Sequence, residues 1–396
     1  MLPRVKIQFE NGLLGANSPM DDGVTGLIVS ATAVEGSFEL ETPYLILSLK
    51  ELMEKGVTEE NNPRLYKAVK EFYDEAPVAS ALWVYGVDKY VSMEDMLDKT
   101  KYYAPSLLDA ANGEIRLLVV AKEDEEGYEA LVDSGLDSDV YNAILNGQVL
   151  AEEYAESKFA PFVVLVEGRH YSGVAADLAD LTTGGDNRVA VFIGDTVSGS
   201  KGACVGLLAG RIASIPVQRS IARVKSGAIK ATTLYLGEKS AENGQPSVIN
   251  DKGFICPRTF VGKAGYYYSD DKLATEETDD YALLPRRRVI DKAYRIAYQT
   301  LVNELGEEIA VTEEGKIPAA ICKNLQSAVE RAIENNMTAY GNLGNDQTND
   351  ADTGVSCYVD YNQNIVATSK LDVVIRVRPY GYAKYFDVKL GFQTTV

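Results

Sequence analysis

The sequence predicts a multi-domain protein in which a mainly parallel α/β domain is followed by an α+β domain. The chain has 396 residues, enough for about two or three domains. Short apolar runs recur through the first half, with amphipathic helical patterns between them. The second half contains two long helical patterns and then a series of strand patterns. Alternation of strand and helix is typical of a parallel sheet covered by helices, whereas segregated helices and strands indicate an α+β domain.

Apolar runs predict the strands of the first half. Several of them lack polar alternation, as expected for strands that are buried on both faces. The runs are Val24 to Val34, Leu82 to Val87, Ile115 to Ala121, Phe162 to Val166 and Val189 to Ile193. Because the intervals leave room for a helical crossover, the strands are expected to be parallel.

Helical stripes occupy these intervals. One stripe has i, i+3, i+4 spacing and follows Pro63, a residue suited to a first helical turn. It contains Leu65, Ala68, Val69, Phe72, Tyr73 and Ala76. Another contains Tyr141, Ile144, Leu145 and Val149. The segment Ala203 to Ile212 is rich in small side chains, which predicts close packing of a helix on the sheet.

The second half predicts helices, a loop and terminal strands. The first helical row is Val289, Ala293, Ala297, Leu301 and Leu305, and the second is Ile321, Leu325, Ala328, Val329, Ala332 and Ile333. A small hairpin with Gly315 at its turn is expected at 307–316, and an exposed loop at 341–354. Strands are expected at Val355 to Tyr361, Leu371 to Arg378 and Tyr385 to Phe392. The predicted divisions are an N-terminal arm with a first strand (1–21), an α/β domain (22–240), an α+β domain (241–384) and a terminal strand (385–396).

Composition excludes several classes of protein. The chain carries 39 Lys and Arg against 58 Asp and Glu, a net charge of −19, which argues against a nucleic-acid partner. Its apolar stretches are too short to insert in a membrane, and its first residues do not resemble a signal peptide. Cys204, Cys256, Cys322 and Cys357 form no C-x-x-C pair and are expected to be reduced, buried thiols of a cytoplasmic protein.

One glycine-rich segment suggests phosphate binding. Residues 194–202 (GDTVSGSKG) follow an apolar run, as in a phosphate-binding loop. However, Ser200 separates Lys201 from the second glycine, and Gly202 stands where a magnesium-binding hydroxyl is required. A plain strand-to-helix turn is the favoured interpretation, and a nucleotide-binding enzyme remains the alternative.

Two further candidates are weaker. Residues 346–354 contain spaced acidic residues, but the ligand positions of a calcium loop are out of register, which favours a solvated loop. His170 has no cysteine or carboxylate near it in sequence and is expected to be structural. The sequence therefore predicts no catalytic residue, no cofactor and no metal site.

Several segments of the C-terminal half form a characteristic series in order and spacing. They are Leu207 to Pro216, Asp251 to Ile255, Arg258 to Phe260, Tyr281 to Ile290, Tyr358 to Asp360, Asn364, Lys370 to Ile375, and Arg378 with Pro379. This series resembles that of the contractile tail sheath proteins of phage tails and of bacteriocin-like and type VI-like particles. The likeness extends over residues 200–396, with a compatible α/β first half.

The resemblance implies a structural subunit that polymerises around an inner tube and contracts, with no enzymatic activity. Another tail or baseplate component is a second alternative. Implied partners are further copies of the chain, the tube protein, and baseplate and terminator proteins, in a virion tail or contractile particle assembled in the bacterial cytoplasm. Terminal strands would join neighbouring subunits through Val5, Lys6, Ile7, Gln8, Phe9, Phe386, Val388, Leu390 and Phe392. From the residues alone, these strands can also pair within their own domain, and that interpretation is favoured for an isolated sequence.

A basic cluster, Arg286, Arg287 and Arg288, is expected either to face an acidic tube from the C-terminal domain or to pair with carboxylates inside the domain. The two interpretations are both open at this level.

Overall fold

A computed structural model describes residues 21–349 and 351–392 of the chain. It divides into two compact units, Met1–Arg295 and Ile296–Val396. Of the predicted N-terminal arm, residues 1–20 lie outside the described residues. The predicted α/β and α+β fold classes are confirmed.

The first unit contains the larger share of regular structure. Its strands are β1 (Thr25–Ser30), β2 (Pro43–Ile46), β3 (Leu82–Val87), β4 (Leu117–Ala121), β5 (Val132–Asp133), β6 (Leu136–Asp137), β7 (Val163–Glu167), β8 (Gly185–Asp186), β9 (Val189–Phe192), β10 (Tyr235–Leu236), β11 (Lys239–Ser240), β12 (Pro257–Phe260), β13 (Lys263–Tyr268) and β14 (Ala274–Thr275). Its helices are α1 (Leu49–Glu54), α2 (Pro63–Glu75), α3 (Met93–Leu97), α4 (Tyr103–Ala110), α5 (Ser138–Ser157), α6 (Val205–Ser214), α7 (Pro246–Asp251) and α8 (Leu284–Val302), the last of which continues into the second unit.

Among the described residues, six strands form the main sheet in the order β2-β3-β1-β4-β7-β9. The strands β3, β1, β4, β7 and β9 run parallel, and β2 lies antiparallel to β3 at one edge. Residue Thr25 is in register with Leu82 on one side and Leu117 on the other. The five strands predicted from apolar runs are all present and parallel.

Each face of this sheet has its own hydrophobic core. Because side chains alternate along a strand, Leu27 and Val29 belong to the core that contains α2 and α6, while Ile28 belongs to the core that contains α3, α4 and α5. The strands β1, β4, β7 and β9 are buried along their whole length. Burial on both faces explains why their sequences show no polar alternation.

Helix α6 packs closely against α2. A Cβ atom at Gly206 would lie 2.3 Å from the carbonyl oxygen of Ala68, and one at Gly210 would lie 2.3 Å from that of Phe72. The small residues of α6 therefore let two helix backbones approach each other. The expectation of close packing is correct, but Gly206 and Gly210 pack against helix α2 and not against the sheet.

The first unit extends beyond the predicted boundary at residue 240. The backbone N–H of Ile193 donates to the carbonyl oxygen of Ile255 at 2.9 Å, which adds residue 255 to the edge beyond β9. Strand β14 pairs with β8, and Asp291 forms a buried ion pair with Arg188 at 3.1 Å. Residues 241–295 therefore complete the first unit, and the division falls inside α8.

The second unit contains α9 (Ala319–Asn336), β15 (Val355–Val359), α10 (Ile365–Thr368) and β16 (Val373–Val377). Ile317, Cys322 and Val359 form one buried cluster in this unit, and Val329, Ile333, Met337 and Leu343 are buried there as well. The predicted hairpin at 307–316 is a turn only: the N–H of Gly315 donates to the carbonyl of Thr312 at 2.9 Å, and no strand is found within 307–316. The expected loop at 341–354 follows a 3-10 helix at Thr338–Tyr340, and its described residues form turns and irregular backbone.

The four cysteines are free thiols and buried, as predicted. No helix within residues 21–349 or 351–392 has both the length and the apolar character needed to cross a membrane.

Candidate assembly surface

The second unit presents a two-stranded antiparallel sheet that is covered on one face. Cys357 of β15 lies opposite Ile375 of β16, and Tyr358 lies opposite Val374. Helix α9 packs against β15, so that Cys357 and Val359 are buried while Tyr358 and Val374 are exposed. Burial raises the pKa of the Cys357 thiol to about 11, with a further contribution from Glu330. The thiol is therefore protonated at neutral pH and acts as a small apolar side chain.

Side chains of α9 cover the outer edge of β15. Gln326 donates from Nε2 to the carbonyl oxygen of Cys357 at 2.9 Å, and the N–H of Cys357 donates to Glu330 Oε1 at 2.8 Å. Both backbone polar groups of Cys357 are thus satisfied by side chains. A strand cannot add to β15 at this position without displacing them.

The outer edge of β16 is open. Because the N–H of Cys357 bonds to Glu330, Cys357 and Ile375 form a pair without mutual hydrogen bonds. In an antiparallel ladder such a pair directs its backbone groups outwards. Within the described part of the chain β16 pairs with β15 alone. The backbone groups of Val373, Ile375 and Val377 therefore face an unoccupied sheet edge.

The predicted C-terminal strand forms no ladder with the described chain. Residues 379–392 contain no assigned strand. The side chains of Phe386, Val388, Leu390 and Phe392 are 80–104 % exposed. Pairing within its own domain, the interpretation favoured for an isolated sequence, is therefore not found there. In strand geometry these four apolar side chains would share one face, opposite Asp387 and Lys389. The other predicted inter-subunit residues, Val5 to Phe9, lie outside the described residues.

Two of the three arginines at the start of α8 are buried in the first unit. Arg287 pairs with Asp291 at 2.7 Å and stacks over the ring of Tyr281. Arg288 donates from Nη2 to the carbonyl oxygens of Asp22 and Ile215, each at 3.3 Å. Arg286 is half-buried. The structure favours pairing inside the chain for Arg287 and Arg288, whereas contact with a tube stays a prediction.

The glycine-rich segment 194–202 is held by carboxylates of the chain itself. Asp195 accepts hydrogen bonds from the backbone N–H of Thr196 and from Ser200 Oγ. Glu167, at the end of β7, accepts from the N–H of Ala203 at 2.7 Å. A phosphate would need these amides as donors. Their occupation by carboxylates agrees with the favoured interpretation of a strand-to-helix turn.

A buried charged cluster lies beneath this segment. Glu71, Asp195 and Cys204 bring two carboxylates and a thiol within 4.8 Å of one another. Lys67 supplies a cation there, 3.4 Å from Glu71 Oε1 and in contact with Asp195. A metal ion would have to displace this ammonium group. Burial raises the pKa of Glu71 to about 7 and raises that of the Cys204 thiol well above its usual value.

His170 has a carboxylate partner that sequence proximity did not indicate. Its Nε2 lies 3.0 Å from Asp124 Oδ2, and Asp124 also pairs with Arg169. The two residues meet because both follow neighbouring strands, β4 and β7, at the same edge of the sheet. In the acidic segment 346–354, Asp352 accepts from the N–H of Asp346 at 2.8 Å and pairs with Arg378. Asp350 lies outside the described residues.

Solved structures share this fold over nearly the whole chain. A chain of the helical sheath of the anti-feeding prophage, in its contracted state, aligns with a TM-score of 0.63 and 17 % identity, covering 99 % of each chain. A chain of the contracted PVC sheath complex, from an extracellular contractile injection system, aligns with a TM-score of 0.63 and 14 % identity over 99 % and 97 %. The sheath tail protein of Desulfitobacterium hafniense aligns at 0.52 and 11 % identity over 95 % and 100 %.

The fold is therefore that of contractile sheath proteins, and the resemblance predicted from sequence is confirmed at this level. The chain belongs to the DUF2586 family: it matches the N-terminal domain over residues 2–272 and the C-terminal domain over residues 280–396. No curated protein matches it in sequence.

Proposed function

We propose that the chain is the structural subunit of a contractile sheath, which polymerises around an inner tube and contracts to drive it through a target envelope. The observation that carries this proposal is the open edge of β16 together with the unpaired apolar segment 385–392, in a fold shared with sheath chains. An open sheet edge and an unpaired strand can join two copies of a protein by strand addition.

The C-terminal segment supplies both parts of such a joint. Its backbone would extend the β15–β16 sheet of another copy. Its apolar side chains, Phe386, Val388, Leu390 and Phe392, would leave water on assembly. Burial of each would contribute roughly 1.5–3 kcal/mol. Since Gln326 and Glu330 cover the outer edge of β15, we place the added strand on β16.

The same proposal includes the partners and the place of action. The subunit would contact further copies of itself, an inner tube protein, and baseplate and terminator proteins. It would belong to a virion tail or contractile particle assembled in the bacterial cytoplasm. The second joint would be the N-terminal strand, which contains Val5, Lys6, Ile7, Gln8 and Phe9. The tube would be contacted by Arg286, whose side chain is the most exposed of the three arginines. No catalytic group and no cofactor is required by this function.

Electron microscopy of the purified full-length chain tests the proposal. Hollow cylinders of stacked subunits are expected as concentration is raised. The variant Val388→Asp/Leu390→Asp should lose them while its circular dichroism spectrum and melting temperature stay those of the parent chain, because both side chains are exposed.

The matched control is Asp387→Asn/Lys389→Gln, which alters the opposite face of the same segment and should still form cylinders. Cylinders in the Val388→Asp/Leu390→Asp variant would exclude the C-terminal segment as a joint. Absence of cylinders in the parent chain under every condition, with or without added tube protein, would contradict the sheath function itself.

A further inference from the structure

A long stretch of this acidic protein contains no acidic residue. Residues 196–237 include no Asp or Glu, although the chain as a whole has a net charge of −19. The cations of this stretch are Lys201, Arg211, Arg219, Arg223, Lys225 and Lys230. The last four lie on residues 216–230, which we call the basic loop. Charge is therefore segregated along the chain as well as biased overall.

The basic loop is held in place by a buried ion pair. Arg211 donates from Nε to Glu75 Oε2 at 2.9 Å, and its Nη1 and Nη2 donate to the carbonyl oxygens of Gly227 and Ala228. The backbone N–H of Ile229 donates to the carbonyl oxygen of Tyr266 at 2.7 Å. Ile221 and Ile229 are buried in the core that contains α2 and α6. This anchoring presents the loop in one conformation, which lowers the entropic cost of binding.

The cations of the basic loop have no carboxylate partner within the described chain. Arg223, Lys225 and Lys230 are exposed, and Arg219 is half-buried. None of them takes part in the ion pairs formed among residues 21–349 and 351–392. Burial and the nearby Arg223 both lower the pKa of Arg219, so the loop repels its own charges. An anionic partner would relieve this repulsion.

An acidic counterpart lies on residues 123–133, which we call the acidic loop. Glu125, Glu126, Glu129 and Asp133 are exposed there. The loop is anchored by Tyr128, which donates from its hydroxyl to Asp137 at 2.6 Å, and by the pairing of Asp124 with Arg169. Both charged loops of the first unit are therefore fixed to its framework.

The two loops lie at opposite ends of the strands of the main sheet. The acidic loop directly follows the carboxyl end of β4. The basic loop follows α6, whose last turn lies at the amino end of β1: a Cβ at Gly23 would be 2.7 Å from the carbonyl oxygen of Ala213. It also contacts Glu75, the last residue of α2, which precedes β3. In a parallel sheet the amino ends of all strands lie on one side and the carboxyl ends lie on the opposite side.

We propose that the basic loop of one copy binds the acidic loop of the next copy, a head-to-tail ionic contact that sets the order of copies along the assembly. This inference rests on the proposed self-assembly. Complementary patches at opposite ends of one subunit form a heterologous contact, which closes into a ring if the rotation between copies allows it and otherwise builds a filament or stack. A second copy of this chain is the fitting occupant because its acidic loop lies at the end of the sheet opposite to its own basic loop, so that the two loops can meet when copies follow one another head to tail.

Charge reversal of each loop tests the contact in the full-length chain. The basic-loop variant is Arg223→Glu/Lys225→Glu/Lys230→Glu, and the acidic-loop variant is Glu125→Lys/Glu126→Lys/Glu129→Lys. Self-association is measured by sedimentation velocity at low and high salt. Each variant alone should associate about tenfold or more weakly than the parent chain, because like charges then face each other.

A mixture of the two variants restores opposite charges at every contact, and so does one chain that carries both reversals. Both should recover association. The control is Lys50→Glu/Lys323→Glu/Arg331→Glu, which changes the net charge equally at exposed sites away from the basic loop and should associate like the parent.

The outcomes separate this contact from the proposed function. Cylinders that form equally well in the parent and in both reversed variants would overturn the ionic contact and leave the sheath function standing. Salt-sensitive oligomers that the mixture restores, without cylinders, would support the contact and contradict the sheath. A parent chain that stays monomeric at all concentrations and salts would overturn both. Weak association of the single variants without recovery in the mixture would also overturn the contact.

Discussion

Gln326 on α9 donates a hydrogen bond of 2.9 Å to the carbonyl oxygen of Cys357 on β15. Together with Glu330 it covers one edge of the two-stranded sheet, so that among the described residues the open edge of this sheet is that of β16. The two contacts thereby decide on which side of the sheet another strand could add. A helix side chain in this position both stabilises the second unit and restricts its assembly.

Replacement of Gln326 by Leu should destabilise the second unit by about 1–3 kcal/mol, because the buried carbonyl of Cys357 would lose its partner. Urea unfolding followed by circular dichroism measures the change. Asn324→Leu, on an exposed position of the same helix, is the matched control and should have little effect. Equal stability of the two variants would contradict the assigned role of Gln326.

Substitution of Gly206 by Ala should destabilise the first unit by about 1–3 kcal/mol or more, since the added methyl group would overlap the backbone of Ala68. Gly185→Ala is the control, because nothing lies within 4 Å of a Cβ at that position. Thermal melting of both variants provides the comparison. A melting temperature of Gly206→Ala equal to that of the parent would show that α2 and α6 can separate without loss.

The carboxyl group of Glu71 should make stability fall as pH rises. Burial raises its pKa to about 7 from an ordinary value of 4.5, against the opposing effects of Lys67 and Arg64. Between these values the folded state holds a proton that the unfolded state has released. The stabilisation from this group is therefore complete below pH 4.5 and is lost as pH rises through about 7.

Glu71→Gln should remove this dependence. The difference in unfolding free energy between the variant and the parent should change by roughly 2–3 kcal/mol from pH 5 to pH 8, in favour of the variant at the higher pH. Urea titrations at several pH values measure it. Glu54→Gln, at an exposed position, is the control variant. A parallel pH profile for Glu71→Gln and the parent would refute the prediction.

Charge reversal at Arg287 should unfold the first unit rather than test tube binding. Asp291 is 3 % exposed and binds both Arg287 and Arg188. A glutamate at position 287 would break this buried network at a cost of about 3–5 kcal/mol. Arg286→Glu, by contrast, should keep the fold within about 1 kcal/mol.

Arg286→Glu is therefore the variant with which cosedimentation of the chain with an acidic tube can be measured. Retained binding of that variant would argue against Arg286 at the tube. A stable Arg287→Glu protein would show that the network around Asp291 is dispensable.

Local patterns were sufficient for much of the fold. The apolar run Leu82 to Val87 is β3 residue for residue, and α2 begins at Pro63 as its sequence predicts. Such segments carry their own signal because burial on both faces, or on one helical stripe, repeats along the chain. The two compact units divide at Arg295, because contacts such as those of Ile255 and Asp291 join residues 241–295 to the first unit. Contacts between residues so far apart in the chain have no periodic signature that marks a boundary.

The sequence by itself determined the α/β order, the parallel strands, the sheath-like sequence of motifs and the segregation of acidic and basic residues. Only the tertiary structure decided that Arg287 and Arg288 pair inside the chain and that the charged loops lie at opposite ends of the strands of the main sheet. It alone also decided that residues 385–392 form no ladder with the described part of their own domain. Periodicity and charge are properties of neighbouring residues and can be read along the chain. The partner of a buried charge or a free sheet edge depends on which distant elements pack together, and that is decided by the folded core as a whole.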